Sequence, residues 1–228
     1  DQKEIDVRAE LPGNNCGGCG YAGCDGLAAA IAKGEAPVNA CPVGGAPVGA
    51  KIAAIMGTEV ADSKRMTAFV KCAGDCNKAK ENYYYSGVKE CTQMPFVPNG
   101  GSKACTYGCM GFGSCVKACP FDAIHVVDGI AVVDKEACKA CGKCVAVCPK
   151  HLIEIVPYDQ KHLVKCNSQD KGKAVVQACT AGCIGCKMCE KACKFEAVTV
   201  ENNIAHIDYE KCKDCGACAV KCPKKVIS

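Results

Sequence analysis

The sequence predicts an α+β protein: a small helical domain followed by two tandem modules, each made of short helices around a β-hairpin. Three features predict this: an internal repeat, a turn signal within each copy, and 25 cysteines among 228 residues. Tryptophan is absent, and with 5 Phe and 7 Tyr the chain has few large rings to organise its interior. At this cysteine content, something bound by sulfur is expected to form much of the core.

The repeat covers the C-terminal half of the chain. Residues 121–150 align without gaps on residues 195–224, and "ACTYGC" at 104–109 matches "ACTAGC" at 178–183. "VKC" also occurs twice, at 70–72 and 164–166. The chain therefore holds two copies of one module.

A hairpin is expected in the middle of each copy. Short alternating segments flank Asp128-Gly129 in the first copy and Asn202-Asn203 in the second. Both dipeptides tolerate the positive φ angles of a two-residue hairpin turn.

The cysteine runs of the repeat have the spacing of iron–sulfur ligands. Three runs follow C-x2-C-x2-C-x3-C, starting at Cys138, Cys183 and Cys212. In two-cluster ferredoxins the first three cysteines of such a run bind one [4Fe-4S] cluster and the fourth binds the other. Cys115 and Cys119 lie about one helical turn apart, so a short helix can supply one sulfur to each cluster.

The run "CTYGCMGFGSCVKACP" at 105–120 departs from this pattern, because Phe112 stands where the second cysteine is expected. Cys105 precedes Cys109 by about one turn and is the nearest substitute ligand. Cys72, which begins the same module, is a competing donor, and an empty site is a third interpretation.

With Cys105 as the substitute, each module holds two sets of ligands. The predicted sets are Cys105, Cys109, Cys115 with Cys148; Cys138, Cys141, Cys144 with Cys119; Cys183, Cys186, Cys189 with Cys222; and Cys212, Cys215, Cys218 with Cys193.

A fifth set is predicted near the N-terminus. The segment beginning "NNCGGCGYAGC" has the spacing C-x2-C-x4-C-x16-C, formed by Cys16, Cys19, Cys24 and Cys41. Its glycines allow the backbone to fold tightly around a bound cube. After Cys24 we expect an alanine-rich helix that stops near Gly34, and a second helix over 47–56 before Gly57.

The predicted domains are 1–60, the N-terminal [4Fe-4S] domain; 61–103, a loop-rich connecting segment; 104–157, the first two-cluster module; and 158–228, the second. Five cysteines remain outside the sets: Cys72, Cys76, Cys91, Cys166 and Cys179. They are most simply free, partly buried thiols. A sixth cluster on Cys72, Cys76 and Cys91 is an alternative that lacks a compact motif.

Charge and hydropathy exclude several functions. The 28 basic residues are interleaved with 24 acidic ones and form no block, and five clusters would lower the formal charge of +4 further, so nucleic acid is not an expected partner. No window approaches the ~18 apolar residues of a membrane helix. Nothing resembles a nucleophile–base pair or a nucleotide cradle, so no catalytic residue is predicted.

These motifs resemble the B subunit of the Rnf complex, the membrane-bound ferredoxin:NAD+ oxidoreductase that transports sodium ions or protons. "CGGCGYAGC" with Cys41 looks like that family's four-iron domain, and "GGSKACTYGCMGFGSCVKACPFDAI" looks like its clostridial and acetogenic versions. The resemblance implies a membrane helix upstream of Asp1 and a position on the cytoplasmic face of the cell membrane. It also implies reduced ferredoxin as electron donor and the other Rnf subunits as partners.

The leading hypothesis is therefore an electron-transfer subunit with five [4Fe-4S] clusters. One alternative is a soluble polyferredoxin that serves a hydrogenase or a corrinoid enzyme. Another is a zinc-stapled interaction module, although three C-x2-C-x2-C runs suit a cube better than zinc knuckles. Lysines near the runs, whose other explanation is plain solvation, could steer an acidic ferredoxin: Lys139, Lys143, Lys187, Lys191 and Lys213.

Overall fold

The computed structural model describes residues 1–60 and 64–228. The predicted connecting segment 61–103 thus begins with residues that lie outside the described part of the chain. The helices are α1 (Gln2–Glu10), α2 (Gly23–Ala32), α3 (Gly45–Met56), α4 (Ser114–Ala118), α5 (Lys143–Val147), α6 (Gly172–Ala178), α7 (Met188–Ala192) and α8 (Ala217–Lys221). The strands are β1 (Met66–Val70), β2 (Ile124–Val127), β3 (Ile130–Val133), β4 (Ile153–Pro157), β5 (Val198–Glu201) and β6 (Ile204–Ile207).

The N-terminal domain is helical, as predicted. Helix α2 is followed by Gly34 with φ +76°, and α3 ends at Gly57 in the left-handed region, which a glycine adopts at little cost. Helix α1, which the sequence did not predict, packs against α2 and α3. Leu27, Ile31 and Ile52 are fully buried between these helices, each worth about 1.5–3 kcal/mol relative to exposure.

Each module contains the predicted antiparallel hairpin. Strands β2 and β3 pair with Ile124 opposite Val133, and β5 and β6 pair with Val198 opposite Ile207. The two turn residues of each hairpin have positive φ, 48° and 77° at Asp128 and Gly129. The dipeptides identified in the sequence therefore form the turns for the expected reason.

A third pairing lies outside the expected pattern. Strand β1, within the segment predicted to be loop-rich, pairs antiparallel with β4, so that Val70 is opposite Ile153. In the second module a single bridge between Val164 and Ile227 takes the same place. The residues before each "VKC" thus belong to the module that follows them.

The module cores combine cysteines with aliphatic side chains. In the first, Cys115 and Cys144 are buried with Ile124 and Leu152, and in the second Cys189 and Cys218 hold the matching places. Such cores depend on whatever the sulfurs bind.

Candidate metal centres

Four single-turn helices present the cysteines of the two modules. Helix α4 buries Cys115 and ends at Cys119, whose backbone is extended. The other three helices repeat this arrangement: Cys144 lies on α5 and Cys148 follows it, Cys189 lies on α7 and Cys193 follows it, and Cys218 lies on α8 and Cys222 follows it. Helices α4 and α5 pack together, as do α7 and α8. Each helix therefore lies between two groups of thiols, which is the arrangement that the one-turn spacing favours.

The structure gathers one predicted set of the second module and three of the four cysteines of the other. Cys183, Cys186, Cys189 and Cys222 line one cavity. In the other set, burial raises the pKa of Cys218, and repulsion from thiolates at Cys212 and Cys193 adds to the increase. Cys215 belongs to the same run and is exposed.

One predicted set of the first module is also gathered. Cys119, Cys138, Cys141 and Cys144 line a single cavity. Strand β1 contributes to it, because the Ala68 amide donates to Cys138 Sγ at 3.3 Å.

The remaining set of the first module differs from the sequence prediction. Cys109, Cys115 and Cys148 share a cavity with Cys91, and Cys105 does not line it. Burial raises the pKa of Cys115 to about 12, and thiolates at Cys109, Cys91 and Cys148 add to the increase by repulsion. The structure therefore places Cys91, rather than Cys105 or Cys72, at the corner that Phe112 leaves open.

Cys91 reaches this corner from the connecting segment. It begins a 3₁₀ helix, Cys91–Phe96, and its amide donates to Ser114 Oγ of α4 at 2.9 Å. Glu90 bonds to Ser114 as well, and its carboxylate is 2.5 Å from Lys117 Nζ. Two side chains of α4 thus hold the segment that delivers the thiol.

Cys105 and Cys72, the two donors considered for that corner, lie together elsewhere. Both line a cavity between the modules that also contains Cys166 and Cys179. Cys76 is exposed and lines neither this cavity nor the one that contains Cys91. Since Cys72 and Cys91 line different cavities, the alternative cluster on Cys72, Cys76 and Cys91 has no common site.

The N-terminal set surrounds the start of α2. Cys24 and Cys41 are buried in the helical core, and Cys19 packs against it. Burial raises the pKa of Cys41, and thiolates at Cys24 and Cys16 add to the increase. The Gly44 amide donates to Cys41 Sγ at 3.3 Å.

The N-terminal set lies beside the first module. A Cβ at Gly18 would be 2.8 Å from the carbonyl oxygen of Cys141. A thiolate at Cys16 also contributes to the raised pKa of Cys141, whose main cause is burial. Only a glycine at position 18 allows this approach.

Backbone amides aimed at sulfur recur throughout the sets. Ala131 donates to Cys109 Sγ, Ala123 to Cys119 Sγ and Val226 to Cys222 Sγ, at 3.3–3.5 Å. Such N–H···S bonds stabilise thiolates and tune the potential of bound clusters. Burial is the main cause that raises the pKa of Cys144 and Cys189 to about 11, so these thiols need a bound cation to remain deprotonated at neutral pH.

Lys150 provides an independent test of what the sites hold. Its Nζ atom is buried and has no hydrogen-bond partner in the described part of the chain. Burial lowers its pKa, while thiolates at Cys105 and Cys109 act in the opposite direction. A buried ammonium without a partner is costly, and a [4Fe-4S] cube with four thiolates carries about −2, so the residues fit this cofactor.

The arrangement of donors differs from that of a single-ion site. Within residues 1–60 and 64–228, no three His, Cys, Asp or Glu side chains gather closely enough to hold one metal ion. Across the same ranges, no helix is long and apolar enough to cross a membrane.

Short helices that pass cysteines between neighbouring cavities, with amides directed at sulfur, define a multi-cluster iron–sulfur electron carrier. Family models agree with this class. A model described as "Putative Fe-S cluster" matches residues 11–43. Two models described as "4Fe-4S dicluster domain" match residues 98–149, and residues 137–197 and 182–226.

Curated relatives narrow the class. The chain is 51% identical to the B subunit of the Na(+)-translocating ferredoxin:NAD(+) oxidoreductase complex of Acetobacterium woodii, over 97% of this chain and 67% of the relative. It is 48% identical to the B subunit of the ion-translocating oxidoreductase complex of Methanosarcina acetivorans, over 97% and 84%. It is 42% identical to the B subunit of the proton-translocating ferredoxin:NAD(+) oxidoreductase complex of Clostridium ljungdahlii, over 97% and 79%.

These relatives show the family. The chain belongs to the B subunits of the Rnf complex, and it is an iron–sulfur electron-transfer subunit that holds [4Fe-4S] clusters.

Proposed function

We propose that this chain accepts electrons from reduced ferredoxin and passes them to the other subunits of an Rnf complex, on the cytoplasmic face of the membrane. Five [4Fe-4S] clusters would be held by five sets of four cysteines, supported by shared cavities and by repulsion between thiolates, with Cys215 assigned from its place in the run. These sets are Cys16, Cys19, Cys24, Cys41; Cys119, Cys138, Cys141, Cys144; Cys91, Cys109, Cys115, Cys148; Cys183, Cys186, Cys189, Cys222; and Cys193, Cys212, Cys215, Cys218.

The observation that carries the proposal is that successive sets adjoin one another. Gly18 brings the N-terminal set against Cys141 of the next. Helix α4 then joins that set, through Cys119, to the set containing Cys115. When bound, each cube exchanges one electron, and closely spaced cubes shorten each transfer.

The protein's own groups set the conditions for transfer. Thiolates hold each cube, and amides such as that of Ala131 withdraw charge from sulfur and thereby raise the reduction potential. Buried ammonium groups, Lys150 among them, act in the same direction by attraction. Aliphatic neighbours, including Ile124 and Leu152, exclude water from the sulfurs of the first module.

The second module has the features of a docking site for ferredoxin. Two ligand cysteines, Cys186 and Cys215, are exposed there. Lys187, Lys191 and Lys213 stand nearby in the sequence, and Lys187 and Lys191 are exposed as well. Exposed sulfur allows close approach of a partner's cluster, and positive charge attracts an acidic surface.

The test uses anaerobic full-length chain mixed rapidly with reduced ferredoxin. We expect cluster absorbance to bleach as electrons arrive, with a rate that falls as salt rises. Absence of bleaching in a chain that dithionite does reduce would refute ferredoxin as donor. A salt-independent rate would refute the steering role of the lysines alone.

Membership in the complex has its own test. When the tagged chain is expressed in an Rnf-containing anaerobe and isolated under mild conditions, the other Rnf subunits should be recovered with it. Recovery with a soluble hydrogenase or corrinoid enzyme instead would support the polyferredoxin alternative.

A further inference from the structure

Four cysteines outside the five sets line one cavity between the modules: Cys72, Cys105, Cys166 and Cys179. Cys166 and Cys179 are buried, and the other two are half-buried. Their thiolates act on one another: those of Cys72 and Cys179 contribute to the raised pKa of Cys105, whose main cause is burial. The thiolate of Cys105 contributes in the same way at Cys166.

The internal repeat relates these cysteines in pairs. Cys72 and Cys166 end the two copies of "VKC", while Cys105 and Cys179 begin the matching "CTYGC" and "CTAGC". Each module therefore contributes the same two positions to one site. No free-thiol interpretation explains why both equivalent pairs face a common cavity.

Backbone hydrogen bonds hold the modules together at this site. The Ala73 amide donates to the Lys165 carbonyl oxygen at 3.1 Å, and the Lys80 amide donates to the Ala178 carbonyl oxygen at 2.9 Å. Ala73 follows Cys72, and its partner Lys165 precedes Cys166. Ala178, the partner of Lys80, precedes Cys179. The relative placement of the four sulfurs is thus built into the fold.

Two of the sulfurs accept equivalent hydrogen bonds. The Cys109 amide donates to Cys72 Sγ at 3.4 Å, and the Cys183 amide donates to Cys166 Sγ at 3.3 Å. Ala73 separates Cys72 from Gly74, where a Cβ would lie 3.7 Å from Cys72 Sγ and 3.2 Å from Cys179 Sγ. Sulfurs of both modules thus lie within 4 Å of one point.

A buried positive charge lies at the same cavity. Lys103 is 4% exposed, and its ammonium donates to the carbonyl oxygens of Gly74 at 2.8 Å and Gly129 at 3.2 Å. It also lines the cavity with the four thiols. Carbonyl oxygens do not neutralise an ammonium, whereas a cube with four thiolates carries about −2 and would do so.

We propose that Cys72, Cys105, Cys166 and Cys179 bind a sixth [4Fe-4S] cluster that joins the two modules. The site rests on these residues alone, and its electron-transfer role rests on the proposed function. Its two hydrogen-bond donors, Cys109 and Cys183, are ligands of the sets on either side. When bound at this site, the cube would exchange one electron, and no bond to a protein atom would form or break.

The experiment counts clusters in anaerobically purified full-length chain by native mass spectrometry, together with iron and acid-labile sulfide. Six cubes give about 24 irons per chain, and five give about 20. We expect six cubes in the unaltered chain, a count that does not depend on any variant folding. Five cubes, or zinc in place of one cube, would overturn the sixth site.

Paired variants locate the additional cube. The double substitution Cys166→Ala with Cys179→Ala removes two of the four ligands, so we expect it to lose about four irons. The matched control Cys76→Ala changes an exposed thiol and should keep every iron. Full iron content in the double variant would refute the assignment.

The result separates this site from the proposed function. Five cubes that ferredoxin reduces would refute the sixth cluster and leave the electron-transfer role intact. Six cubes that ferredoxin does not reduce would support the site and refute that donor. A chain without iron or sulfide would overturn both.

Discussion

The two modules build the same cluster site by different routes. In the second module Cys186 lies within its run and is exposed to solvent. In the first module Phe112 takes the equivalent position, and Cys91 enters from a segment that the second module lacks. The corner of a cube thus constrains where a sulfur lies in space and leaves its place in the sequence free.

Phe112 also helps to hold the segment that replaces it. Its ring lies 5.7 Å from that of Tyr85, between centroids, and the two rings are tilted by 31°. Such pairs contribute about 0.5–1.5 kcal/mol beyond their buried area. Phe112, which stands in place of one ligand, therefore contacts the segment that supplies another. That ligand, Cys91, is half-buried, whereas Cys186 in the second module is exposed.

Removal of iron should have the largest effect, and the two modules should respond differently from the N-terminal domain. The N-terminal core also contains buried cysteines, Cys24 and Cys41, but three longer helices pack Leu27, Ile31 and Ile52 beside them. In the module cores, single-turn helices carry the buried cysteines Cys115, Cys144, Cys189 and Cys218. We expect chelation under anaerobic conditions to unfold both modules, because metal binding and folding are linked. Hydrogen exchange should show rapid exchange in the hairpins and slower exchange in α1–α3. Hairpins that stay protected without iron would contradict this expectation.

Replacement of a buried lysine should have a smaller, local effect. Lys150 and Lys224 occupy equivalent positions of the repeat, but the Lys150 Nζ atom is buried without a hydrogen-bond partner in the described residues. We expect Lys150→Met to lower the potential of the first-module cluster by about 50–100 mV, since a nearby positive charge favours the added electron. Lys224→Met, the matched control, should change its own module's potential less. Equal shifts in a redox titration followed by EPR would contradict the role of burial.

Ser114 allows the finest comparison. It is 4% exposed, and its hydroxyl oxygen accepts a hydrogen bond from the Cys91 amide. Met188, at the equivalent position on α7, is 45% exposed. Ser114→Ala should lower the free energy of unfolding by about 1 kcal/mol and speed iron loss from the first module. Met188→Ala should change neither quantity noticeably. An unchanged rate of iron release in Ser114→Ala would show that Ser114 does not position Cys91.

Local patterns were sufficient for much of the fold. Asp128-Gly129 and Asn202-Asn203 specify their turns through the φ angles they tolerate, and the one-turn spacing of Cys115 and Cys119 specifies a helix. Each of these signals depends on residues close together in sequence. Strand β1 carries no such signal, because its partner β4 lies far along the chain.

The ligand assignments also succeeded where the signal was local in sequence and failed where the ligand came from a distant segment. Regular runs indicated which thiols meet, but Cys91 joins Cys109 only through the folded connecting segment, and no spacing rule identifies it. The cavity between the modules does have a signal in the sequence. Cys72 with Cys166, and Cys105 with Cys179, are equivalent in the two copies, and such matched pairs point to a shared site when they are compared together.

The most direct test of the account is the iron and sulfide content of Cys91→Ala, measured beside Cys91→Ala combined with Phe112→Cys. The single variant should lose between about one and four irons, as a cube loses a corner or dissociates. The combined variant should regain them, because it restores the ligand pattern of the second module. Full iron content in Cys91→Ala would contradict the assignment of Cys91 to the first-module cluster.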